Sequence, residues 1–263
     1  MKYLTRESTI TTDESKKIEI FNLDIQDETE IFEEWATQFR RNYCTDEELK
    51  EMVAVKNISS SEYLKNYKLP SDSGIGLATM SGDFGEILIS DYFQYIENYI
   101  VPRTRYNLKE NKNTSTQGSD VLGYKKSPLN TVNDEVIVAE VKSSASNIST
   151  SKAKNKLQEA INHSDKDYER ISTSITASYL KLKRSNNIDQ ANIVKRFLNK
   201  TDNPFNITYG AVAVHSNQSY DTDVIKKVVA KNHRASQTLR LLVIHSDELM
   251  DFIKNIYLKA REV

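Results

Sequence analysis

Apolar positions along this chain recur with two periods, and the changes between them mark out the elements. Residues 18–23, Ile-Glu-Ile-Phe-Asn-Leu, read as a short strand. Ile31, Phe32, Trp35 and Phe39 then return at helical spacing between Glu28 and Tyr43. Thr45-Asp46-Glu47-Glu48 opens a second helix with acidic residues in its first turn, and Ser59-Ser60-Ser61-Glu62 opens a third. The seventeen residues before this region are polar and read as a poorly ordered tail.

Pro70-Ser71-Asp72-Ser73-Gly74 is a turn-rich break. A helix is predicted over residues 83–100, with Phe84, Ile87, Leu88, Tyr92, Tyr95, Ile96 and Tyr99 on its buried side and Pro102 ending it. Residues 103–108 read as a strand and 109–117 as a polar loop. Two strands follow over 119–124 and 135–142, joined through Ser127-Pro128-Leu129-Asn130. Helices are predicted over 151–171, 174–184, 189–198, 223–230 and 247–260, with strands over 209–215 and 238–244 between them. Alternating helices and strands after a hairpin imply an α/β fold, a mixed sheet covered by helices on both faces. The chain divides into a mostly helical extension, 1–74, and a main domain, 75–263.

Composition narrows the function classes. The 263 residues contain one cysteine, Cys44, so neither an internal disulfide nor a cysteine-held zinc is available. No apolar run reaches the ~18–20 residues of a membrane helix, and the first residues lack a signal peptide's apolar segment. A cytoplasmic location is the expectation. The formal charge of −1 conceals an asymmetry. Residues 1–100 carry 10 Lys+Arg against 20 Asp+Glu, whereas residues 101–263 carry 26 against 17. The basic part is suited to a polyanion such as DNA.

The strand Glu135-Val136-Ile137-Val138-Ala139-Glu140-Val141-Lys142 carries the candidate chemistry. Alternation puts Glu140 and Lys142 on one face and Ile137, Ala139 and Val141 on the other. Two charges on one face of so apolar a strand belong at an open strand end or around a cation. The preceding strand supplies Asp120. A hairpin centred on Asn130 sets Asp120 opposite Glu140, about 4.5–5.5 Å away between Cβ atoms. Facing carboxylates call for a positive occupant, and Mg²⁺, with Mn²⁺ as a substitute, suits oxygen ligands beside phosphate. Asp120, Glu140 and the Val141 carbonyl are the expected ligands, and Lys142 would orient the attacking water. Asp83 and Glu86 have the spacing of a capping box. Lys152, Lys154, Lys156 and Gln158, at the start of the following helix, are candidate DNA contacts. The four histidines are dispersed and none is assigned to a metal; no P-loop sequence is present.

At Ser119-Asp120, Glu140-Val141-Lys142 and Gly85-Glu86 the sequence resembles the PD-(D/E)XK nuclease superfamily. Ser119 replaces the Pro of the short motif. Within that superfamily, F-G-E, G-S-D and A-E-V-K-S-S followed by a long helix are similar to HamA, the nuclease subunit of the Hachiman anti-phage system. The resemblance implies a restriction-endonuclease-like core and a Mg²⁺-dependent deoxyribonuclease with little sequence specificity. It also implies Glu86 as a further metal ligand from the preceding helix, beside the capping-box reading, and a helicase partner, HamB, that restrains the nuclease. Two other readings stand beside it: a non-catalytic DNA-binding or regulatory subunit, and a sequence-specific restriction endonuclease.

Overall fold

The computed structural model describes residues 2–24, 29–128, 131–145 and 156–263. The first strand, β1 (Leu4–Thr11), pairs antiparallel with β2 (Lys17–Leu23). Helices α1 (Thr29–Arg41), α2 (Asp46–Lys56), α3 (Ser60–Tyr63) and α4 (Ile75–Asp91) follow. A hairpin of β3 (Val121–Lys125) and β4 (Glu135–Ser144) leads to α5 (Lys156–Arg184) and α6 (Ile188–Lys195). The chain finishes with β5 (Asn206–Ser216), α7 (Thr222–Lys226), β6 (Leu239–Ser246) and α8 (Leu249–Ala260).

The six strands form one mixed sheet in the order β1-β2-β6-β5-β4-β3. Strands β2, β6, β5 and β4 run parallel, and the antiparallel β1 and β3 close the two edges. Alternation divides each strand between two cores. Ile137, Ala139 and Val141 join Val212, Val214 and Ile244 beneath the aromatic residues of α1, α4 and α8. Val136 and Val138 join Ala211, Ala213 and Leu241 beneath α5 and α6. The fold is the expected α/β sheet flanked by helices.

Several local expectations need correction. The polar beginning of the chain is not a tail, because β1 pairs along its whole length with β2. Its exposed side chains hid it, since a ladder depends on backbone hydrogen bonds and needs no apolar side chains at an edge. Residues 103–108 form no strand; they are irregular, with Tyr106 buried. Helix α4 starts eight residues before Asp83, directly after Gly74, whose φ of 58° suits a residue without Cβ. Asp83 is therefore inside the helix, and the capping-box reading of Asp83 and Glu86 falls. The helices expected over 151–171 and 174–184 are one, α5, because no Gly or Pro interrupts the stripe Leu157, Ile161, Ser164, Ile171, Ile175, Leu182. Its expected first residues, and the hairpin midpoint Asn130, lie outside the described residues.

Elsewhere the local signals match the structure. Thr45 caps α2, and Ser59 and Glu62 form a reciprocal capping box at α3.

Candidate functional site

The hairpin register is the one expected. Val121 faces Ala139 and Lys125 faces Glu135, so the next step outward brings Asp120 to Glu140. Glu140 and Lys142 share the face covered by α5, and across the parallel ladder each lies beside an alanine, Ala211 or Ala213. Those two methyl groups leave room for larger polar side chains. The site opens at the carboxyl end of β4 into a crevice of about 1100 Å³. Its described lining carries six cationic side chains, Arg105, Lys142, Lys156, Lys166, Arg170 and Lys254, against the carboxylates Glu86, Asp120 and Glu140.

Each carboxylate is held. Asp120 Oδ2 accepts a hydrogen bond from the Val141 backbone N–H at 3.0 Å, and its Oδ1 accepts one from Arg105 at 2.8 Å. Glu140, almost wholly buried, accepts from Lys142 Nζ at 2.6 Å; His163 Nδ1 lies 3.3 Å from the same oxygen. Glu86 projects from α4 across the crevice. It accepts from Arg105 Nε at 2.6 Å and from the Tyr106 hydroxyl at 2.5 Å. Arg105 also donates to the carbonyls of Ser119 and Thr116, so one guanidinium joins α4 to the segment entering β3.

The electrostatics show that the carboxylates crowd one another. Burial, followed by the negative charge of Asp120, raises Glu86 to about 8 and Glu140 to about 7. Arg105 is raised although burial opposes it, because Glu86, Tyr106 and Asp120 outweigh the loss of water. Lys142 is likewise raised, its bond to Glu140 overcoming burial. Burial, then Lys142 and Lys166, lower His163, favouring its neutral form.

Of the expected site residues, Asp120, Glu140, Lys142 and Glu86 meet at this crevice. Lys156 also lines it, paired with Glu159 at 2.7 Å. Gln158 does not face it: its side-chain amide bonds the Val229 backbone in both directions, because it lies on another side of α5. Lys152 and Lys154 lie outside the described residues.

Sequence reasoning missed Arg105 and Tyr106, which sit in an irregular segment with no periodic signal. It also missed His163, Lys166 and Arg170, although their spacing of three and four residues places them on one helical face.

Oxygen donors and mutual repulsion suit Asp120 and Glu140 to a hard divalent ion, and the surrounding cationic side chains suit an anion beside it. Glu86 suits it less, with one oxygen engaged by both Arg105 and Tyr106 and the other also in reach of Arg105, at 3.4 Å. Among the described residues no three or more His, Cys, Asp or Glu side chains are already gathered to hold a metal. No described helix is long and apolar enough to cross a membrane.

The HamA family profile matches residues 2–260. No curated protein matches the chain.

Proposed function

The chain belongs to the HamA family, a component of Hachiman anti-phage defence, and from that premise we propose that it is a metal-dependent deoxyribonuclease of PD-(D/E)XK type. One observation carries the reading: Asp120, Glu140 and Lys142 converge at the mouth of a crevice with twice as many cationic side chains as carboxylates. Phosphodiester backbones suit such a surface, and its charged side chains contact phosphate rather than base edges, which supports cutting with little regard to sequence.

Asp120 and Glu140 would hold Mg²⁺, with Mn²⁺ able to replace it. The ion would supply an activated water and neutralise charge on the phosphate. The Val141 N–H fixes Asp120 for this task, and Ala211 and Ala213 leave the adjoining face open. Lys142, kept protonated beside Glu140, orients the water and stabilises charge gathering on the phosphoryl oxygens. Glu86 acts through Arg105, which fixes Asp120 from the opposite side. Lys156 supplies phosphate contact, as would Lys152 and Lys154 just before it. In the cell we place the protein in the cytoplasm as the DNA-degrading effector of a complex with a HamB-like helicase. The motif resemblance supports that pairing.

A second reading, a DNA-binding subunit without turnover, draws on the engagement of all three carboxylates by Arg105 or Lys142. Supercoiled DNA incubated with the purified protein separates the two. Nicking that requires Mg²⁺ and is lost in D120A, E140A and K142A supports the nuclease. Binding without cleavage under every metal condition supports the second reading, and discrete fragments would indicate a sequence-specific enzyme.

A further inference from the structure

Helix α5 carries a fully buried carboxylate, Asp167, within a mostly apolar stripe whose other buried polar residues are the serines Ser164 and Ser178. Burying a charge there is costly unless it organises other groups. Its Oδ1 accepts the Ser119 hydroxyl at 2.7 Å and Arg170 Nε at 2.7 Å. Ser119 immediately precedes Asp120, and Arg170 Nη2 lies 3.5 Å from Glu140 Oε2. Asp167 is thus bonded to a neighbour of each of the two carboxylates assigned to the metal.

The bond to Asp167 uses Arg170 Nε, and the Arg170 side chain lines the crevice. Among the described residues Nη1 makes no hydrogen bond, and Nη2 makes only the long contact with Glu140. Arg170 therefore differs from Arg105, whose nitrogens are all engaged by the protein. A guanidinium fixed at Nε and held at Nη2 only by a 3.5 Å contact keeps donors for a tetrahedral oxyanion.

We infer that Arg170 is the arginine that binds a backbone phosphate of the DNA beside Asp120 and Glu140, with Asp167 and Ser119 as the positioning residues that aim it. The inference rests on the nuclease reading and adds a substrate contact to it. Lys166, one turn earlier and exposed, extends the same cationic row along α5.

Fluorescence anisotropy of a labelled DNA duplex with the full chain tests this in EDTA, where no cleavage proceeds. Cleavage rates in Mg²⁺ are measured in parallel. R170A should weaken binding about tenfold or more and reduce the slope of log affinity against log salt by about one. Its KM should rise by more than its kcat falls. R170K, which keeps the charge without the fork, should retain the salt slope and recover part of the affinity. D167N should reproduce the KM effect with a normal salt slope. R170A and R170K that both bind with wild-type affinity and slope, in a protein that cuts DNA, would overturn the inference and leave the nuclease reading intact. Wild-type protein that neither binds nor cuts DNA would overturn both.

Discussion

Arg105 is the residue on which the crevice most depends. It bridges Glu86 and Asp120 and binds two carbonyls while remaining largely buried. Breaking a buried pair from one side leaves charge without compensation, so R105Q should lower stability by about 3 kcal/mol, measured by denaturant unfolding. The carboxylates it leaves add a pH dependence. Glu86 and Glu140 have folded pKa values raised to about 8 and about 7. Their ionisation therefore opposes folding as pH rises from the ordinary carboxylate range through those values. A metal held by Glu140 needs its ionised form, so it binds more tightly as pH rises through about 7. Mg²⁺ should raise the melting temperature more above pH 8 than at pH 6; equal shifts would show that Glu140 does not ligate it. His215 works in the reverse direction. Burial, then His245 and Lys156, lower it to about 4, so its contribution is complete above its unfolded pKa and fades as pH falls from about 6.5 to 4. H215Q should flatten that acid limb in a melting-temperature profile.

Among the elements, α4 shows why some boundaries were illegible. Pro70-Ser71-Asp72-Ser73-Gly74 reads as turn chemistry, yet the helix that carries Glu86 to the crevice begins directly after it. A Cβ at Gly76 would sit 2.0 Å from the Ser71 carbonyl oxygen, so this glycine permits the helix to start against the preceding turn. G76A must shift backbone, at a cost of about 1–3 kcal/mol, and should lower the melting temperature by several degrees. An unchanged melting curve would contradict that account. The β3–β4 hairpin was legible because both strands are apolar and its register follows from one midpoint. The segment holding Arg105 was not, because its conformation depends on the carboxylates and carbonyls it meets, which come from distant positions. Helix α5 was legible as a helix but not as a single one. The buried Asp167, the charged residue in its stripe, marks that this face serves more than packing.

At the scale of the whole molecule, charge asymmetry pointed towards the basic crevice, but composition alone misjudged the first residues. Strands β1 and β2 belong to the same sheet as the candidate site, with β2 lying directly against β6. Removing residues 2–24 should therefore yield insoluble or unfolded protein rather than a trimmed, folded one; a soluble, cooperatively melting product would show that the sheet closes without them. The paired carboxylates, lysine and helix-covered sheet were readable from spacing, whereas the arginines that hold them were not. Whether Asp120 and Glu140 share one divalent ion is decided by calorimetric titration of Mn²⁺ into wild-type protein, D120N and E140Q. The wild type should take up one saturable ion, displaced by excess Mg²⁺, and both variants none at unchanged fold. No ion in the wild type, or equal binding by all three proteins, would contradict a shared ion.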